Sequence, residues 1–365
     1  MTLTIAQIFP AQYPQELHEK QQRIEALLKP FSAPNIEVFA SPVSYYRMRA
    51  EFRIWHQGSD IFYAMQNPVA PTQPIFLEQF PVGGLRINAL MTELMAALRL
   101  DGRLRKKLFQ VEFLTATTGE ALVTLIYHRK LDATWQELAS KLEKQISAAV
   151  IGRSKGQKIV ISRDYVTEAF CVDGTVFSQR QPESAFSQPN AFVNQQMLNW
   201  ANACCKKVSG DLLELYCGNG NFTLPLSKQF AKVLATEVSK TSVAAALHNL
   251  AENSCSNVAL VRLSSEEITG ALQGVRLFRR LAAIDLSAYH FSTVLVDPPR
   301  AGLDAATLAL VAGFDHIIYI SCNTQTLQDN LLALTQTHAI KEAALFDQFP
   351  YTSHIESGVF LTRKD

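Results

Sequence analysis

From Leu212 onward the chain repeats one unit: a short apolar run, a turn, and a segment with helical periodicity. The runs at 212–216, 232–236, 258–263, 293–296 and 317–320 precede helices starting near Thr223, Thr241, Glu266, Ala305 and Thr324. Such alternation specifies a mostly parallel, doubly wound α/β sheet. Two further runs, 343–346 and 359–362, flank residues 350–357 with no room for a helix between them, so they close the sheet as an antiparallel hairpin at its edge. With the helix at 195–205 leading in, residues 181–365 are expected to form a Rossmann-like domain with seven strands.

The first 180 residues follow another period. Residues 15–28 carry Leu17, Ile24, Leu27 and Leu28 among charges and stop at Pro30, as a helix does. Residues 46–56 alternate polar and apolar side chains, Gly58-Ser59-Asp60 turns the chain, and 61–65 returns as a second strand. Residues 88–100 read as an amphipathic helix, 109–114 and 121–127 as a hairpin about Thr118-Gly119, and 158–161 and 172–177 as strands. The expectation for 1–180 is an α+β module with antiparallel pairing.

At 48% hydrophobic and 18% charged residues the chain is globular. No apolar run approaches the roughly 18 residues of a membrane helix. Met1-Thr2-Leu3-Thr4-Ile5 lacks the basic-then-apolar order of a secretion signal, so the cytoplasm is the expected location. None of the six cysteines forms a C-x-x-C pair, so neither a metal nor an iron–sulfur cluster is expected, and disulfides are not. A net charge of +1 excludes a protein that coats nucleic acid indiscriminately. It leaves open whether Arg99, Arg103, Arg105, Lys106 and Lys107, with His128-Arg129-Lys130, make a solvated face or a local footprint.

The chemistry collects at three strand ends. Cys217-Gly218-Asn219-Gly220-Asn221 is a strand running into a G-x-G turn; Thr223 replaces the third glycine of a dinucleotide fingerprint. Glu237, ending the next strand, can accept from both hydroxyls of a ribose. A nucleoside cofactor without a pyrophosphate fits this pair, which points to S-adenosylmethionine. Asp297-Pro298-Pro299 forms a rigid wall without backbone donors, suited to a flat base, and Arg300 follows where adenine-methylating enzymes favour an aromatic. Cys322 follows the strand after that. A thiolate adding to carbon 6 of a pyrimidine makes carbon 5 nucleophilic, and a base must later remove the carbon 5 proton. Asn323 caps the helix from Thr324, whose N-terminus is expected to lower the thiol pKa. For the proton acceptor, residues 349–356 offer His354 and Glu356, and spacing does not choose between them.

These segments, with Phe186-Ser187-Gln188-Pro189-Asn190, residues 47–56, 211–222, 296–302 and 345–352, make the chain resemble the tRNA (uracil-5-)-methyltransferases over essentially its whole length. The resemblance implies methylation of the T-loop uridine at position 54 of tRNA, flipped out of its stack, with T-arm-like RNAs such as tmRNA as further substrates. It implies Cys322 as nucleophile, Glu356 as base, and cofactor contacts from Gln188, Tyr216, Asn221, Glu237 and Asp297. It also implies a front module that grips the T-arm of tRNA, with Arg53, Phe109 and His128 at RNA-contacting positions; Phe109 reads equally as a core residue of its strand. A monomer is the expectation. The family's S-C-N-P-x-T becomes Ser321-Cys322-Asn323-Thr324-Gln325 here, which loosens the loop behind the thiol without removing a reacting group. A ribosomal-RNA branch with an N-terminal cysteine cluster is disfavoured, since no cysteine precedes Cys171. Cytosine-5 methylation of RNA, or RNA binding with a dispensable site, are the competing readings.

Overall fold

In a computed structural model, residues 7–67, 70, 72–206, 208–276 and 278–364 are described; the Met1–Ile5 stretch considered for a secretion signal lies outside them. The chain opens with α1 (Tyr13–Leu28) and β1 (Glu37–Phe39). There follow β2 (Arg49–Gln57), β3 (Asp60–Met65), β4 (Ile75–Leu77), α2 (Leu85–Leu100), α3 (Gly102–Arg105), β5 (Leu108–Thr115) and β6 (Ala121–Tyr127). After α4 (Ala133–Ile146) come β7 (Ala149–Ser154), β8 (Gln157–Val160), β9 (Tyr165–Val172) and β10 (Thr175–Pro182). The repeated units then follow: α5 (Ala191–Cys205), β11 (Asp211–Leu215), α6 (Thr223–Leu226), β12 (Val233–Thr236), α7 (Lys240–Glu252), β13 (Val258–Val261), α8 (Ser265–Leu272), β14 (Phe291–Val296), α9 (Ala305–Val311), β15 (His316–Ser321), α10 (Thr324–Leu334), β16 (His338–Phe346) and β17 (Glu356–Arg363).

The C-terminal sheet runs β13-β12-β11-β14-β15-β17-β16-β1 among the described residues. The strands from β11 to β15 are mutually parallel, and β17 is antiparallel to both neighbours. Buried on both faces in the middle of the sheet, these strands read as mostly apolar runs. The order reverses between β11 and β14, and the crevice at such a switch point is where ligands enter an open α/β sheet. One correction concerns its edge. The expected seven strands are joined by β1, which pairs in parallel with β16, so the front of the chain completes the rear sheet. Ile24 and Leu28 of α1 share the core of that sheet with Leu213, Val294 and Ile317.

The N-terminal sheet runs β4-β3-β2-β5-β6-β7-β8. One face packs on α2 and α4, with Phe52, Tyr63, Leu90, Val111 and Trp135 in its core. Its pairing is antiparallel except for β6 and β7, which α4 joins as a parallel crossover. The strand expected at 172–177 is instead a hairpin turn: Asp173 and Gly174 take positive φ between β9 and β10. That hairpin sits on the C-terminal body, with Phe170 and Phe177 packed against Val193 and Met197. Asn249 and Asn253 of α7 bind its backbone at Arg180 and Ser178.

Candidate active site

The G-x-G turn follows β11 as expected. Gly218 (φ 58°) and Gly220 (φ 88°) adopt conformations that favour glycine, and Tyr216 joins them at φ 60°. A non-glycine residue at such a φ is uncommon and is held there by its surroundings. The Glu237 carboxylate accepts from the backbone N–H of Gly218 (3.0 Å), Val238 (2.8 Å) and Ser239 (2.7 Å), which ties the two strand ends together. Asn221 exchanges two hydrogen bonds with Asn194 of α5, at 3.0 and 2.8 Å. Gln188 lies half-buried in the loop before α5.

A cavity of about 460 Å³ opens beside this turn, lined by Tyr216, Glu237, Leu263, Ser265, Pro299 and Asp304 among others. It therefore receives Tyr216 and Glu237 of the expected cofactor set; Gln188, Asn221 and Asp297 are not in its wall. Sequence reasoning passed over one residue, Glu214 on β11. It is 1% exposed, and neither carboxyl oxygen has a hydrogen-bond partner among the described residues. Burial pushes this carboxyl up to about 8 and the Asp297 charge adds to the rise, while Thr223 lies close enough to oppose it without completing a hydrogen bond of good geometry. An acid inside an apolar strand, Leu212-Leu213-Glu214-Leu215, was the signal available. A buried, unpartnered acid is costly unless a ligand answers it. A cavity with an apolar flank, a ribose-matching acid and buried carboxyls nearby fits a cationic nucleoside such as S-adenosylmethionine.

Strand register explains how Cys322 meets Glu356. On the antiparallel pair β15 and β17, Ile320 faces Gly358 and Ser321 faces Ser357. Cys322 follows Ser321 at the end of β15 and Glu356 precedes Ser357 at the start of β17, so the pairing brings the two near each other, and the Glu356 charge acts on the thiol. Glu356 is 4% exposed, whereas Cys322 is half-buried and His354 exposed. Asp297, at the end of β14, completes a cluster of acids. Burial raises the Glu356 carboxyl well above the usual range, with the Asp297 charge reinforcing it, and burial raises Asp297 too. Two carboxylates sharing a dry site resist ionising together.

The expectation that helix α10 would depress the Cys322 thiol is corrected here. Burial raises its pKa first, the Glu356 and Asp297 charges add, and only Arg300 among the neighbouring side chains opposes. A helix terminus offers about half a charge, less than two nearby carboxylates. Asn323 does cap the helix, accepting from Gln325 N–H at 3.0 Å. It also donates to the Arg300 carbonyl at 2.8 Å, binding the thiol loop to the proline wall.

On the outer face of the N-terminal sheet, the three residues expected to touch RNA form one column. The Arg53 guanidinium lies 5.2 Å from the Phe109 ring centroid, and Phe109 stacks on His128 at 4.3 Å and 20°. Phe109 is half-buried rather than a core residue, and Arg53 and His128 are exposed. Among the described residues no helix is long and apolar enough to cross a membrane.

Comparison with known proteins identifies the family. Residues 12–364 match the family model for tRNA (uracil-5-)-methyltransferase. A tRNA/tmRNA (uracil-C(5))-methyltransferase of Saccharophagus degradans is 54% identical over 365 residues, the whole of both chains. One of Ectopseudomonas mendocina is 56% identical over 355 residues, covering 97% of this chain and 98% of that one. The Pyrococcus abyssi tRNA (uracil-54, C5)-methyltransferase, solved with S-adenosyl-L-homocysteine, superposes with a TM-score of 0.71 at 18% identity, over 96% of this chain and 83% of that one, which shows a shared fold. A glycine turn with its acid, a thiol near a buried carboxylate, and a match along nearly the full length lead to one assignment: the chain belongs to the tRNA (uracil-5-)-methyltransferase family.

Proposed function

We propose that this enzyme methylates carbon 5 of the T-loop uridine, position 54 of tRNA, through a covalent adduct on Cys322. The strand pairing that brings Cys322, just past β15, near Glu356 at the start of β17 is the observation that carries this reading. S-adenosylmethionine, bound in the cavity by the G-x-G turn, supplies an electrophilic methyl group. Glu237 would hold the ribose and Tyr216 would flank the nucleoside, with Asp297 as the contact that the family pattern assigns beyond the cavity wall. Gln188 and Asn221 are the further contacts that the family pattern assigns.

The protein's own steps are these. The Cys322 thiolate adds to carbon 6 of the extruded uracil, and the displaced π electrons make carbon 5 nucleophilic. Once carbon 5 carries its methyl group, Glu356 takes the carbon 5 proton. The electrons left behind restore the 5,6 double bond and expel the sulfur. Raised by burial, the Glu356 carboxyl is a stronger base than a surface glutamate when ionised. His354, exposed and with its pKa lowered by burial, is the weaker candidate.

The column of Arg53, Phe109 and His128 grips the T-arm, stacking its splayed loop bases. Residues 1–180 act chiefly as the RNA-gripping module and 181–365 as the catalytic one, with α1 and β1 crossing over. The enzyme works as a metal-free monomer in the cytoplasm, and tmRNA, whose T-arm resembles that of tRNA, is a second substrate. The decisive test uses tRNA carrying 5-fluorouridine at position 54, because fluorine cannot leave as a proton. With S-adenosylmethionine present, a denaturant-stable protein–RNA adduct through Cys322 is expected. Its absence, while ordinary tRNA is still methylated, rules out the covalent route.

A further inference from the structure

A second aromatic group occupies the outer face of the N-terminal sheet, beyond the column already described. Trp55 on β2 and Phe62 on β3 are cross-strand partners. Phe76 on β4 lies 5.3 Å from Phe62 and 6.3 Å from Trp55 between ring centroids. Trp55 is 44% and Phe76 48% exposed, while the alternate residues Ile54, Ile61 and Tyr63 are buried on the opposite, helix-covered face. The Arg99 guanidinium sits 5.7 Å from the Phe62 centroid and is held by Asp60 at 2.8 Å.

These rings continue the column. Phe76, Phe62, Trp55, Arg53, Phe109 and His128 run in order across β4, β3, β2, β5 and the end of β6. At a strand spacing of about 4.8 Å the strip is roughly 20 Å wide, room for several bases. Cations border it: Lys106 and Lys107 before β5, and Lys130 after β6, are exposed with no ionic partner among the described residues. Single exposed aromatics are ordinary. A contiguous set extending a stacking column, flanked by free cations, matches the platform-and-groove pattern of single-stranded nucleic-acid binders. The free lysines lie at the β5–β6 end and Arg99, paired with Asp60, at the other, so it is continuity with the column proposed to hold RNA that argues for RNA as the occupant.

We propose that Trp55, Phe62 and Phe76 form a second stacking platform that takes an unpaired base of the same RNA, beside the loop bases held by Arg53, Phe109 and His128. The proposal rests on the function proposed above. Its test exploits a property of the chain. Of the three tryptophans, Trp135 and Trp200 are 1% and 4% exposed, so Trp55 is the solvent-accessible one. Titration of the wild-type enzyme with unmodified tRNA is expected to quench the Trp55 emission and to shield it from acrylamide. Trp55→Ala and Phe76→Ala are expected to raise KM for tRNA about tenfold, with kcat unchanged, as loss of one stacked base does. Trp55→Phe is expected to restore KM. Methylation by the wild type with no change in Trp55 emission, or normal KM in both alanine variants, overturns the platform and leaves the function standing. Failure of the wild type to methylate tRNA overturns both.

Discussion

Two regions of this molecule use charge in opposite ways. At the carboxyl edge of the C-terminal sheet, Glu214, Asp297 and Glu356 are packed close together, and burial raises the pKa of all three. On the outer face of the N-terminal sheet Arg53 stands exposed beside Phe109, and Lys106, Lys107 and Lys130 are exposed at the ends of β5 and β6. The net charge of +1 hides this division. Burial makes an acid worth having in catalysis, since it strengthens the base and sharpens every charge nearby. Exposure lets a cation find a phosphate and leave it again. Changes in the first region should therefore act on kcat, and those in the second on KM and salt dependence.

The largest break in this contrast comes from Cys322→Ala. Loss of the attacking group is expected to lower kcat by at least about four orders of magnitude, while tRNA binding measured by filter retention persists. Retained methylation would remove covalent catalysis from the account. Glu356→Gln comes next. Loss of a general base costs about 10²- to 10⁴-fold in rate, and here the methylated RNA should remain attached to Cys322, visible as a band shift in denaturing gels. If His354→Gln gives that phenotype instead, the role passes to His354.

How much of this could be read beforehand differs between the two regions. Strands β11, β14 and β15 announce themselves because each carries a largely apolar, buried run, broken in β11 only by Glu214. Strand β1 does not, since Glu37–Phe39 is three residues long and its partner Ala344–Phe346 lies far along the chain. Strand β7 hides behind Gly152, which looks like a breaker. In the fold a β-carbon there would come within 2.3 Å of Trp135, so packing demands the glycine. The three strand ends carrying the chemistry were legible as motifs. The nearness of Cys322 and Glu356 was not, because it depends on the pairing of two strands far apart in sequence. The thiol was misjudged because the helix is local in sequence, while the acids that outweigh it come from β14 and β17.

Smaller effects sharpen the comparison. Alkylation of Cys322, followed by peptide mass spectrometry, should rise with pH about a midpoint above that of an ordinary thiol. Arg300→Ala removes the opposing cation and should move that midpoint higher; Glu356→Gln removes a negative neighbour and should move it lower. A midpoint unmoved by either change would mean that burial alone sets the thiol. On the other face, Phe109→Ala should raise KM about tenfold. The smallest expected change is from Lys106→Gln or Lys107→Gln. Each should leave kcat intact and reduce the slope of log affinity against log salt by about one, as loss of a phosphate contact does.

One packing detail reaches beyond catalysis. Strand β1 seals the outer edge of the catalytic sheet by pairing with β16, and Lys20 of α1 binds Asp347 at 2.8 Å and the Phe349 carbonyl at 2.9 Å, in the segment that leads to Glu356. During synthesis the earliest forty or so residues leave the ribosome with no partner and wait for almost the entire remaining chain to emerge. Until then an open edge is left over, and Lys20 has only Glu16, one turn back on its own helix, to pair with. A prematurely terminated product could fold its gripping half yet never assemble the reactive one, so that only full-length molecules both hold RNA and modify it.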